Sequence, residues 1–338
     1  MSTPESDLAR RPAPAAATTP GGAPVAGSPA ASGVSQGAAL WHTLLMLVRR
    51  ELWEHRALWM TPLLVAGLLV ACSFAMHSVT FDIDGDPALQ VTSGNRQALF
   101  ALMQWGLTVP QYVVMAILLS FYLLDCLYAE RRDRSILFWK SLPVSDAATV
   151  TSKLLVALLV VPLGVYLLAM LTNLLFSAIW FGRAAFGRPL PLTVSWDTVV
   201  WLKVQALTLA GLLISILWYA PFAAYLLLVS AWARRSVFVW ATLPPVIAML
   251  VERVALGTHY LRDFINYRTW GVWASLHLED AVRRSVLGGS HKILSLPMLF
   301  DSIGFGGVLA NIDLWLGLAV AGGLTFATVR IRRYRDDT

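Results

Sequence analysis

Six long apolar runs without a charged side chain constrain this 338-residue chain more than any other feature. They cover 57–81, 97–124, 154–182, 204–233, 236–251 and 314–329, with lengths of 25, 28, 29, 30, 16 and 16 residues. A helix needs roughly 20 apolar residues to cross the ~30 Å hydrocarbon core of a bilayer. Four runs meet that outright, and the last two do so once they extend past Glu252 and Asp313. Strand alternation is absent over these runs, which argues against an outer-membrane barrel. The expected fold class is an all-α polytopic membrane protein with six transmembrane helices, at about 57–76, 107–129, 154–180, 204–233, 236–256 and 314–329.

Only 14% of the residues are charged, where soluble domains carry about a quarter. The net charge of +6 reads as membrane topology and not as a nucleic-acid interface, because of where the basic residues fall. With the N-terminus inside, the inner segments hold 16 Lys and Arg and the outer ones 10. Six of those 10 lie in the long last outer segment, and long loops cross the membrane largely regardless of charge. The comparison of short segments is therefore 16 against 4. This predicts both termini on the cytoplasmic side of the inner membrane. No signal peptide is expected, since the first forty residues lack an apolar core.

Residues 1–39 are mostly Ala, Pro, Gly, Ser and Thr, with no aromatic side chain. Such a segment cannot bury enough apolar surface to offset its ordering entropy, and it is expected to be a disordered cytoplasmic tail. From 40 to 56 the pattern changes. Trp41, Leu44, Leu45, Val48 and Leu52 share one helical stripe, with Arg50, Glu51 and Glu54 placed away from it. That predicts an amphipathic helix along the inner interface, leading into a six-span domain over 57–335.

Ionisable and polar groups within spans are candidate functional residues. Asp125 sits near the inner end of the second span, where it can also snorkel or pair with Arg131 or Arg132. Gln111, Asn173, Tyr219 and Tyr225 are candidates by polarity alone, and such residues are more often satisfied interhelical contacts. The outer segment 258–301 mixes aromatics with arginines and predicts short helices on the outer surface.

Several chemistries have no residues to support them. None of the four lysines follows a glycine, so there is no Walker A loop. No His-Glu-x-x-His pair occurs, and no Gly-x-Ser-x-Gly elbow appears in a span. Asp82, Asp84 and Asp86 begin like a calcium loop, but Ser93 stands where its glutamate would be. Cys72 and Cys126 both lie in apolar runs and give no disulfide or metal framework. No catalytic residue, metal site or cofactor of the chain's own is expected.

The inner loop between the second and third spans is the most informative stretch. It opens on Glu130, Arg131, Arg132, Asp133 and Arg134, carries the apolar knob Ile136–Trp139, and closes on Ser141, Leu142 and Pro143. The knob is too short to span the membrane. Phe138 and Trp139 suit a helix that docks on a soluble partner, and equally suit the headgroup region. The loop and the topology together resemble the ABC-2 type permeases, the exporter-class membrane subunits of ATP-binding-cassette transporters. The resemblance covers most of residues 40–335, with Glu130, Arg131, Ser141, Leu142 and Pro143 matching the family's loop pattern. Ser135 stands where many members have a glycine.

That resemblance implies a coupling helix in this loop, docked in a groove of a separate ATPase subunit that binds ATP and Mg. It also implies a second permease subunit, identical or related, with a pathway between the two. An ion-gradient-driven secondary transporter and a non-transporting membrane sensor or scaffold are the competing readings. The first of these usually shows internal repeats, and none is evident between the two halves of this chain.

Overall fold

The computed structural model describes residues 36–75, 93–133, 145–186, 196–275 and 305–334. No strand occurs among the described residues. The tail before residue 36, the acidic turn 82–86, the loop 134–144 with Phe138, Trp139, Ser141, Leu142 and Pro143, and the stretch 276–304 lie outside them. The chain divides into two units between His42 and Thr43. Of the first, only the helical stretch from residue 36 is described.

Helix α1 spans Gln36–Glu54, so helix begins within the stretch expected to be tail. Its buried face also differs from the expected stripe. Leu47, Val48 and Glu51 are buried, while Leu45 is 60% exposed. At about 100° per residue, Glu51 lies two turns after Leu44 and only some 20° around the helix from it. The carboxylate is therefore at the edge of the apolar stripe, not away from it.

The first span is α2 (Ala57–Ala75). The second lies within α3 (Ser93–Arg132), whose 40 residues make a rod of about 60 Å, twice the hydrocarbon thickness. The third is one continuous helix made of α4 (Asp146–Leu155), a π-helical stretch Val156–Val160 and α5 (Val161–Ala185). Pro162 explains the wider turn. It has no N–H for the Leu158 carbonyl and its ring crowds that carbonyl, a strain that one π turn accommodates. Ser145 starts α4 as N-cap, its hydroxyl accepting from the Ala148 N–H at 3.1 Å.

The fourth span is α6 (Thr198–Trp232), capped by Asp197, which accepts from the N–H groups of Val199 and Val200 at 2.9 and 3.1 Å. Ser236, left-handed at φ 47°, breaks the helix before α7 (Val237–Val251). A second π turn, Glu252–Leu256, and left-handed Gly257 end the fifth span. The Glu252 carboxylate then accepts from the Thr258 hydroxyl at 2.9 Å and the Leu261 N–H at 2.8 Å, which fixes the start of α8 (Tyr260–Ser275). A short α9 (Phe305–Ala310) precedes α10 (Ile312–Tyr334), the sixth span.

Six helices are thus long and apolar enough to cross a membrane, and the protein is an all-α, multi-pass membrane protein. Lipid tails are as apolar as leucine, so the spans are held by close packing and interhelical hydrogen bonds. The fourth span is the central one, with 44% of its apolar window buried, against 11% for the fifth. Ser230 of α6 illustrates the hydrogen bonding, its Oγ accepting from the backbone N–H groups of Leu127 and Tyr128 on α3 at 3.1 Å.

Candidate functional site

The end of α1, the end of α3, both ends of the short α4 and the end of α10 meet at one end of the bundle around a largely buried cluster of charges. Glu51 of α1 and Lys153 of α4 are each 1% exposed, with Lys153 Nζ 2.8 Å from Glu51 Oε1. The same ammonium lies 3.0 Å from Glu130 Oε1. The second oxygen of Glu51 accepts from the Tyr122 hydroxyl at 3.0 Å. The second oxygen of Glu130 accepts from Arg332 Nη1 at 2.6 Å, and Arg332 Nε donates to Asp146 Oδ1 at 3.0 Å. Arg50 flanks the group, 3.5 Å from Glu130 and 2.7 Å from Glu54.

Three carboxylates (Glu51, Glu130, Asp146) thus face three cations (Arg50, Lys153, Arg332). Each buried ion costs several kcal/mol to desolvate, and its partners return that only with good geometry. An apolar cluster of the same volume is often as stable or more so. Stability alone therefore does not account for this arrangement.

Arg332 has a particular position. Glu130 lies two residues before Arg132, the last residue of α3, and Asp146 follows the N-cap of α4. One guanidinium on the sixth span therefore grips both feet of the loop between the second and third spans. Arg131 secures the first foot again, its Nη2 donating to the carbonyls of Ser230 and Ala233 at 2.6 and 2.8 Å. Those carbonyls belong to the C-terminal end of α6, where orphan acceptors need donors. Arg132 is exposed and pairs with Asp133 at 3.1 Å.

His55 stands beside the cluster, its Nε2 3.8 Å from Glu51. Burial holds its pKa below the ordinary histidine value, with Lys153 acting in the same direction and Glu51 against it. Its imidazole packs edge-on against Tyr122, with ring centroids 4.9 Å apart.

The polar residues expected within spans do not converge. Asp125 is exposed. Asn173 donates to Thr108 Oγ1 at 3.1 Å and Gln104 donates to Ser177 Oγ at 2.9 Å, forming a buried seam between α3 and α5. Gln111 lies one turn further along α3, its amide donating to the Leu107 carbonyl at 3.3 Å. Tyr219 donates to the Thr269 carbonyl at 2.7 Å and Tyr225 to the Ala241 carbonyl at 2.9 Å, tying α6 to α8 and to α7. These four serve as interhelical or intrahelical contacts in this structure.

The sequence suggests Glu130 and Arg131 as residues of a loop facing a partner; in the structure Glu130 turns to Lys153 and Arg332 and Arg131 to the end of α6. Sequence reasoning missed Glu51, Lys153, Asp146, Arg50 and Arg332. Glu51 had a signal, its place beside Leu44 on the helix. Arg332 had none, being one of several arginines at the end of the last span.

Comparison with family models, curated proteins and solved structures gives no match to this chain.

Proposed function

We propose that the protein is the membrane subunit of an ATP-binding-cassette exporter, of the ABC-2 type. It forms the substrate pathway as a dimer and is driven by a separately encoded ATPase subunit that binds ATP and Mg. It sits in the inner membrane with both termini cytoplasmic, as the arginine distribution favours. The chain itself catalyses nothing in this reading.

The observation that carries the reading is the way the loop between the second and third spans is founded. A loop that receives a mechanical push must stand on a base that moves as a unit. Here Glu130 and Asp146, at its two feet, share Arg332 of the last span, and Glu130 shares Lys153 with Glu51 of the helix before the first span. A displacement of the loop is thereby delivered to the ends of several spans at once. The push drives transport only if ATP or substrate binds the two resulting states differently.

The docking knob is the part to test. Replacing Phe138 and Trp139 together with Asp is expected to release the ATPase subunit while membrane insertion and folding of the permease persist. Retention of the partner at wild-type occupancy would mean that the knob only anchors in the headgroup region.

A further inference from the structure

Within the reading just proposed, on which this inference rests, we infer that Arg332 is the positioning residue that carries displacement of the loop base to the last span. Three observations lead there. Arg332 is 7% exposed, so its guanidinium is committed to the interior of the bundle. Its two bonds use different nitrogens, Nη1 to Glu130 at 2.6 Å and Nε to Asp146 at 3.0 Å, so both feet are held by one rigid plane. A guanidinium offers donors in a fixed planar fork, whereas an ammonium is a point charge with freely rotating donors, so Arg332 sets the angle between its two carboxylates as a lysine would not.

The other cations of the cluster do different work. Lys153 lies on α4 itself, beyond the second foot, and joins Glu130 to Glu51 of α1. Arg50 reaches Glu130 at 3.5 Å and is held mainly by Glu54. Among the described residues, Arg332 provides the recorded ion pairs between α10 and the loop base. Beyond that base α10 runs back along the bundle, where Ala321 packs with Ala220 and Ala224 of the central fourth span. Movement of the feet therefore reaches the middle of the membrane through α10.

The test separates this link from the reading beneath it. Gly322 on α10 is exposed, and a Cβ there meets nothing within 4 Å. A bimane fluorophore on Gly322→Cys, in a Cys72→Ser background, reports the surroundings of α10, and buried Cys126 stays out of reach of the label. The full complex is purified with its co-isolated ATPase and reconstituted in lipid nanodiscs, and ATP with vanadate is added. The labelled parent is expected to show a nucleotide-dependent emission change. Arg332→Gln is expected to keep the ATPase bound and hydrolysing within about twofold of the parent, while the emission change falls at least fivefold. Arg332→Lys should recover part of it.

Asp146→Asn, which frees one foot at a partly exposed position and is expected to keep the fold, should reduce the change by an intermediate amount even if Arg332→Gln does not fold. An unchanged emission response in Arg332→Gln or Asp146→Asn, with ATPase bound, overturns the link. Absence of any co-isolated ATPase from the parent overturns the underlying reading, and is seen before a variant is examined.

Discussion

Lys153 and Glu51 lie 102 positions apart in the chain and 2.8 Å apart in the fold, each 1% exposed. One belongs to the helix before the first span and the other to the start of the third. Their contact, extended by Glu130 and Arg332, turns separate helix ends into a common base.

Lys153→Met should be among the most damaging single substitutions. It leaves Glu51 buried beside Tyr122 without its cation, and breaking a buried pair from one side costs roughly 3–5 kcal/mol. The double variant Lys153→Met with Glu51→Leu should recover more than half of the loss, because the abandoned charge is also removed. Thermal or denaturant unfolding of the purified protein in detergent measures both. Additive losses would mean that the two residues do not share an interaction.

Gly317 should resist even alanine. A Cβ there would collide with the Arg268 guanidinium, at Nη2 and Cζ. Arg268 would have to leave the face of Trp218, which it covers at 4.6 Å, and give up its 3.0 Å bond to the Asp313 carbonyl. Gly317→Ala is expected to lower stability by about 1–3 kcal/mol, the usual cost of overpacking. Gly322→Ala, with open space around it, should be neutral or gain up to ~1 kcal/mol from helix propensity. Equal melting temperatures for the two variants would contradict this account of α8 against α10.

His55 predicts a pH dependence with a definite sign. Burial lowers its folded pKa beneath the ordinary 6.5, so the unfolded chain binds the proton first as pH falls. Stability is then full above about pH 6.5 and declines as pH drops from there through the lower, folded value. Glu51, Glu54, Asp125 and Lys153 are the charged groups that act on this imidazole. The slope of melting temperature between pH 7.5 and 5 should be shallower in His55→Gln than in the parent. Parallel slopes would show that His55 does not contribute.

Tyr225→Phe removes the 2.9 Å bond from its hydroxyl to the Ala241 carbonyl. Hydrogen bonds between spans average about 0.6 kcal/mol, so the melting temperature should fall only slightly. Since α7 is the least buried span, hydrogen exchange in α7 should quicken more than in α6. A uniform change across both helices would place the bond's effect elsewhere.

The helices were readable because lipid leaves a chain few choices. Uncharged runs such as 154–182 announce spans through length and composition alone. Their ends were less readable. Helix α3 starts at Ser93 and the third-span helix at Asp146, because polar residues outside the hydrocarbon core continue a helix without any hydrophobic signal. The charge cluster was the least readable part. Glu51 and Lys153 are adjacent only through tertiary packing, and a charged residue at a span boundary looks the same whether it meets water or a buried partner. Gln111 and Asn173 stood out by polarity, but the hydrogen bonds that occupy them run to groups such as Leu107 and Thr108 that carry no such mark.

The most direct measurement is isolation of the tagged chain from its native membrane in a mild detergent, followed by an ATPase assay on the isolated complex. The account predicts a stoichiometric nucleotide-binding subunit and vanadate-sensitive hydrolysis. Reproducible isolation of the chain without any ATPase, in more than one detergent, would contradict it.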